Sequence, residues 1–190
     1  SWRWLEVSVR NLLGDPDEPR HDASFDLGAL ERDHTVGRDL IPTLIVVPRE
    51  SPEHMQPFPV AFYGHGHTSV NLEGAGFAGL MARNGIATVA IDAEGHGFAL
   101  DRGFRTVVEA VFTTNCAAPM GRVISIDRSR DLDGDEAPDS GGNFWSAYLF
   151  HTRDVVRQSV LDHMQLIRIL RHFGGEAPGG LRAATPFTLD

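Results

Sequence analysis

Residues 60–97 read VAFYGHGHTSVNLEGAGFAGLMARNGIATVAIDAEGHG, and the change of hydrophobic period inside this stretch decides the fold class. Val60-Ala61-Phe62-Tyr63 is short, apolar and closed by Gly64, the pattern of a strand buried on both faces. From Asn71 to Asn84 the spacing turns helical, with Leu72, Phe77, Leu80 and Met81 in phase and Asn84-Gly85 as a left-handed stop. Ile86 to Ile91 is another apolar strand, ended by Asp92. Strand, Gly-rich turn, helix and strand make a βαβ unit, for which a right-handed crossover and parallel strands are expected.

Outward from this unit the chain continues the same theme. Trp2 to Val9 alternates apolar and polar residues, as a half-buried antiparallel strand near an edge does. Gly14 to Ser24, with Pro16 and Pro19, is expected to be loop, and Ile41 to Val47 a strand that stops at Pro48. Beyond the unit, about residues 98–150 carry only short apolar pieces, Val107 to Phe112 and Val123 to Ile126, and are expected to form an insertion. From Thr152 to His172 the chain is helical, with Val155, Val156, Val160, Leu161, Met164, Ile167 and Leu170 as its apolar stripe, Thr152 or Asp154 as cap and Gly174-Gly175 as its end. The expectation is one α/β domain over 1–190, with a mostly parallel sheet, flanking helices and an antiparallel N-terminal strand.

Bulk chemistry excludes several functions. The 26 acidic and 17 basic residues give a net charge of −9, and no Lys/Arg cluster interrupts it, so nucleic acid is not an expected partner. The arginines are spread singly, and most of them are expected to be solvated surface charge. No run reaches the ~20 apolar residues of a membrane span. A single cysteine, Cys116, supplies neither an intramolecular disulfide nor a zinc cluster.

The residues placed for chemistry are Gly64-His65-Gly66-His67, directly after an apolar strand, at the carboxyl end where open α/β sheets place their ligands. Here the chain resembles the α/β-hydrolase family, in which a His-Gly pair at this turn lets backbone N–H groups face a developing oxyanion. The resemblance implies that the His67 backbone N–H is the donor and that the His65 imidazole braces the turn. A second turn, Asp92-Ala93-Glu94-Gly95-His96-Gly97, is similar to the Asp-x-x-Gly-His-Gly turn of many family members, with Asp92 and His96 as architecture of the pocket floor. The likeness is nearest to bacterial secreted or surface lipase-like hydrolases, through Arg153-Asp154-Val155-Val156-Arg157-Gln158-Ser159 at the start of the long helix.

No Gly-x-Ser-x-Gly nucleophile elbow occurs, and Ser69 lacks the flanking glycines. In the family the order is serine, acid, histidine, so all three are expected beyond Asp190, and the chain corresponds to an incomplete N-terminal half of the fold. The resemblance implies a serine ester hydrolase acting on a small-molecule or lipid ester with no required cofactor. It points, together with an Asp-rich loop, toward secretion or the cell envelope. The alternatives are a peptidase or other acyl hydrolase of the same fold, and a non-catalytic binding domain. A downstream Gly-x-Ser-x-Gly followed by Asp and His would favour the enzymes over the last.

Three further readings stand beside these. Asp131, Asp133, Asp135 and Asp139 occupy alternate positions suited to a structural calcium ion. However, Glu136 stands where a calcium loop has glycine and Gly142 where it has a bidentate Glu; an acidic solvated turn is the equal alternative. His65, His67, Asp92 and His96 are candidates for zinc, although the continuation expected of metal-hydrolase motifs is missing. Phe62, Phe98, Phe104 and Phe112 are candidates to line an acyl pocket, with plain core as the commoner use of such residues.

Overall fold

The computed structural model describes residues 2–13, 23–25, 28, 37–115, 121, 124–131 and 135–171. Four strands form one sheet in the order β1-β2-β4-β3: β1 is Trp2–Asn11, β2 Gly37–Val46, β3 Val60–Tyr63 and β4 Ala87–Ile91. Of the helices with bounds among the described residues, α1 (Ala75–Arg83) follows a 3-10 turn at Asn71–Gly74, α2 (Arg102–Thr114) lies in the segment expected as an insertion, and α3 spans Leu149–Arg171. The βαβ unit is present, with β3 parallel to β4 through Phe62 opposite Val89.

The sheet is mixed rather than mostly parallel. β1 runs antiparallel to β2 with Leu5 opposite Thr43, and β2 antiparallel to β4 with Ile45 opposite Val89, so β2 is the strand of opposite direction. β2 and β4 are central and buried on both faces along Ile41–Val46 and Ala87–Ile91. β3, expected to be buried, is instead an edge strand, and Phe62 is exposed, because among the described residues only β4 covers one of its sides.

Two apolar clusters sandwich the sheet. Val7, Val9, Ile41, Ile45, Val47, Val89 and Ile91 meet Leu166 and Leu170 of α3 on one face. Leu44, Val46 and Ala90 meet Ala78 of α1 on the other. Odd and even positions of β2 and β4 thus serve opposite layers, as a period of two requires. The expected faces of both helices need correction. In α1, Phe77 and Leu80 point outward while the small Ala78 is buried, since close approach of helix to sheet favours the small side chain. The left-handed stop is Gly85, with φ of 75°, and Asn84 itself is not left-handed.

In α3 the buried line is His151, Asp154, Val155, Gln158, Asp162, Leu166 and Leu170, whereas Val156, Val160 and Met164 are exposed. The helix starts at Leu149, so Thr152 is no cap; its hydroxyl accepts from the Ser146 N–H at 2.9 Å and ties down the preceding turn. Polar residues fill core-facing positions because each has a fixed partner. Gln158 accepts from the Leu12 N–H at 2.8 Å and donates to Asp162 Oδ1 at 2.7 Å. Asp154 accepts from both Arg153 and Arg157 and from the Phe25 N–H at 3.0 Å. Ser159 accepts from the Glu94 N–H at 3.2 Å. The Arg153–Ser159 motif is therefore a set of anchors.

The segment expected as an insertion supplies a fully buried cation. Arg128 is fully buried, donating from Nε to Asp39 Oδ2 at 2.8 Å, from Nη1 to the Asp92 carbonyl at 2.8 Å and from Nη2 to Glu94 Oε2, with Asp162 Oδ2 also 2.8 Å from Nη2. Arg128 is thus an exception to the solvated surface charge expected of most arginines. Burial disfavours the guanidinium charge, but Glu94, Asp162 and Asp39 outweigh it and raise the pKa of Arg128. Burial in turn pushes the carboxyls of Glu94 and Asp162 up, against the pull of Arg128.

Removing one partner of such a cluster leaves charge buried without compensation, at a cost of about 3–5 kcal/mol. Arg128→Met is expected to lower unfolding free energy by about that amount in urea denaturation followed by tryptophan fluorescence. Arg128→Lys should lose less, since it keeps the charge but not the fork. A melt of Arg128→Met coincident with that of the parent chain would contradict a central role for the cluster.

Candidate functional site

The two turns singled out in the sequence lie side by side at the carboxyl ends of β3 and β4, because those strands are parallel neighbours. His65 joins them. Its Nε2 accepts the Ala93 N–H at 2.9 Å, so the ring proton sits on Nδ1, which donates to the Gly66 carbonyl at 2.7 Å. Burial lowers the pKa of His65, consistent with a neutral ring serving both backbone groups. Asp92 Oδ1 stands 3.9 Å from Nε2, but Nε2 carries no proton there.

Asp92 is buried and accepts the Asn71 N–H at 2.5 Å, while Asn71 Nδ2 donates to the Pro42 carbonyl at 2.8 Å. The 3-10 turn is thereby locked to the middle of β2 and to the residue that follows β4. Burial raises the Asp92 carboxyl to about 7. His96 is buried under Phe144, with ring centroids 5.0 Å apart, and lies 5.0 Å from the His65 ring and 5.5 Å from that of His67. Its Nδ1 donates to the Glu94 carbonyl at 3.0 Å, and Nε2 has no partner. Burial, with the neighbouring imidazoles and Arg128, lowers its pKa to about 4.

The glycines divide by what surrounds them. A Cβ on Gly95 would run into Asn143, and one on Gly141, at φ 74°, would come within 2.7 Å of His96 Nε2, so the packing of residues 139–145 on this turn demands glycine. Gly141 also donates its N–H to the Gly95 carbonyl at 2.7 Å. Around Gly64 and Gly66 no protein atom lies within 4 Å of such a Cβ. The space in front of the first turn is open.

His67 is exposed, and its backbone N–H has no acceptor among the described residues. The Gly66 N–H is approached by Glu73 Oε2 at 3.5 Å. Hydrogen bonds from Tyr63 and Ser69, with that N–H, hold the Glu73 carboxyl below its usual range. Thr68, next in the chain, has φ of 61°, a conformation that costs a β-branched residue ~1–2 kcal/mol. The Ser69 N–H closes the turn on the Gly66 carbonyl at 3.1 Å.

Of the zinc candidates, both nitrogens of His65, Nδ1 of His96 and Oδ1 of Asp92 are committed to backbone groups. In the acidic loop, Asp131 accepts the Glu136 N–H and Asp135 the Ala137 N–H, each at 2.9 Å, while Asp139 pairs with Arg130 in a β-bridge. Asp133 lies outside the described residues. Glu136 has φ of 70°, so the sixth position takes the left-handed conformation that a calcium loop assigns to glycine. Among the described residues no group of three or more His, Cys, Asp or Glu side chains is placed to share an ion. Phe104 and Phe62 are exposed, and the rings beside His67 are Phe144 and Trp145, at 6.3 and 6.4 Å.

The residues that sequence reasoning missed are Arg128, Thr68, Glu73, Gly141 and Phe144. For the first, the legible signal is Gln158 and Asp162 in phase with Leu166 and Leu170, since a carboxylate on a buried face requires a cation. No helix among the described residues is long and apolar enough to cross a membrane. No family model, curated protein or solved structure matches the chain.

Asp92 and His96 oppose each other in their effect on stability. Asp92, at about 7 against an ordinary 3.8, holds its proton in the folded chain where the unfolded chain has lost it. Its contribution is complete below about pH 4 and lost as pH rises through 7. His96, at about 4 against 6.5, contributes fully above about pH 6.5 and loses that contribution as pH falls through 4. Between those limits the two slopes, each at most ~1.4 kcal/mol per pH unit, nearly cancel. Asp92→Asn should therefore make stability rise with pH across this window, and His96→Gln should make it fall, as read from urea midpoints. Parallel pH profiles for the two variants would refute the opposition.

Proposed function

We propose that the Gly64–His67 turn is the oxyanion-binding wall of a serine ester hydrolase of lipase or carboxylesterase type, built on an α/β-hydrolase scaffold. The observation that carries this reading is an unanswered His67 N–H on an exposed turn, with open space before Gly64 and Gly66. Backbone donors suit an oxyanion because they are fixed before the charge appears, and each contributes about 3–4 kcal/mol to its stabilisation. The left-handed Thr68 supports the same reading, since backbone strain is retained where the surroundings over-determine a turn.

The residues of this chain have the roles of support and orientation. His65 holds the two turns in register through two backbone hydrogen bonds, and Glu73 answers the Gly66 N–H, leaving that of His67 to the ligand. Asp92 and Arg128 fasten the second turn from beneath. The nucleophile, the acid and the catalytic base are assigned to chain beyond Asp190. A further strand beside the open edge of β3 would bring a serine next to the turn, at the carboxyl ends where both turns lie. The attacking hydroxyl, giving its proton to the base, would form the tetrahedral intermediate, whose oxyanion accepts a hydrogen bond from the His67 N–H; the base then returns the proton to the departing alcohol, leaving an acyl-serine for water to cleave.

Two measurements test this. A protein extended beyond Asp190 should be labelled by a fluorophosphonate probe, whereas residues 1–190 alone should show negligible turnover of a p-nitrophenyl ester. Serine-dependent turnover by the 190-residue chain, or an extended protein that neither labels nor hydrolyses, would overturn the assignment. Thr68→Gly should raise unfolding free energy by about 1 kcal/mol by relieving the left-handed threonine. An unchanged or lowered urea midpoint would show that the turn is not strained.

A further inference from the structure

A second concavity lies between the start of α2 and the acidic loop. It has a volume of about 470 Å³ and is lined, among the described residues, by Leu100, Arg102, Arg105, Asp131, Glu136 and Pro138. Small-molecule sites commonly fall at ~300–1,000 Å³. Among the described residues, the buried Arg128 meets Asp39, Glu94 and Asp162 and the half-buried Arg130 meets Asp39, whereas Arg102 is exposed and Arg105 half-buried. Arg102 and Arg105 form no ion pair among the described residues, although two carboxylates share their cavity.

The reason is local. Asp131 turns Oδ2 to the Glu136 N–H at 2.9 Å, and Glu136, with a left-handed backbone, stands on an exposed part of the loop. Arg105 Nε is shut off from solvent and has no acceptor, so the hydrogen bonding of that guanidinium is incomplete in the protein alone. A planar fork with free donors matches the two oxygens of a carboxylate or phosphate, and two such forks one helical turn apart can share one anion. Leu100 and Pro138 add an apolar wall, and Glu136 on the rim makes the cavity unfavourable for polyanions.

We propose that the cavity between Arg102, Arg105 and the acidic loop binds a small oxyanion, a carboxylate or a phosphate, attached to a short apolar group. This site is separate in its residues from the Gly64–His67 turn and does not depend on ester hydrolysis.

Calorimetric titration of the whole chain with inorganic phosphate in one arm and butyrate in the other tests it. Saturable binding in at least one arm is expected, with a Kd on the order of 1 mM, and the responding arm identifies the source of the oxyanion. Arg105→Gln and Arg102→Gln should each weaken binding ~10-fold or more, as loss of a charge-assisted pair does, and Arg105→Lys should restore only part of it. Arg171→Gln, at the far end of α3, should bind as the parent does. The proposal fails if neither ligand saturates by ~20 mM, a range that captures affinities of the order stated. It fails equally if Arg105→Gln and Arg102→Gln melt and bind like the parent chain, and Arg105→Lys keeps the test open should the Gln variant not fold.

Discussion

The fold depends on a charge it could not leave unpaired. Arg128, fully buried, draws Asp39 at the start of β2, Glu94 and the Asp92 carbonyl after β4, and Asp162 of α3 onto one guanidinium. Each of these groups would be costly alone in the interior, so the segments carrying them are held together by a mutual requirement in addition to the apolar area they share. Gln158 extends the cluster to the backbone of Leu12, bringing the end of β1 into it. The segment from 98 to 150, weakly patterned in sequence, is fastened to the sheet at this point.

That constraint also shapes the candidate site. The Asp92–Gly97 turn is gripped from below by Arg128 and Ser159 and from above by Gly141 and Phe144, so its position is not free. The Gly64–His67 turn hangs from it through the His65 imidazole, which serves backbone groups at both nitrogens. A rigid floor and a braced but exposed wall are what a preorganised donor needs, because the cost of orienting it is met in folding. The three histidines are accordingly structural in two cases and exposed in one: His65 and His96 are buried beneath the turn, and His67 offers its N–H to solvent.

Much of this framework was legible from periodicity. The strands at Val60–Tyr63 and Ala87–Ile91, the helical segment between them and the long C-terminal helix follow from the spacing of apolar residues, because that spacing records which side of an element meets a core. Which side each residue takes was less legible. Phe77, Leu80, Val156 and Val160 satisfy a helical period yet face outward, because apolar spacing does not distinguish two adjacent stripes on one helix. The direction of β2 was also beyond reach, since a strand buried on both faces has the same composition in either orientation.

By itself the sequence determined the α/β class, the βαβ unit and the placing of two Gly-His turns after neighbouring strands, all properties fixed by contacts within about forty residues of chain. Only the tertiary structure decided that those turns are joined through His65, that Arg128 is an interior charge, and that Asp162 and Gln158 occupy core positions. The longest of those pairings span 89 residues for Arg128 with Asp39 and 146 for Leu12 with Gln158. A polar residue carries no mark of its distant partner, and whether it is solvated or buried is settled only when the partner arrives.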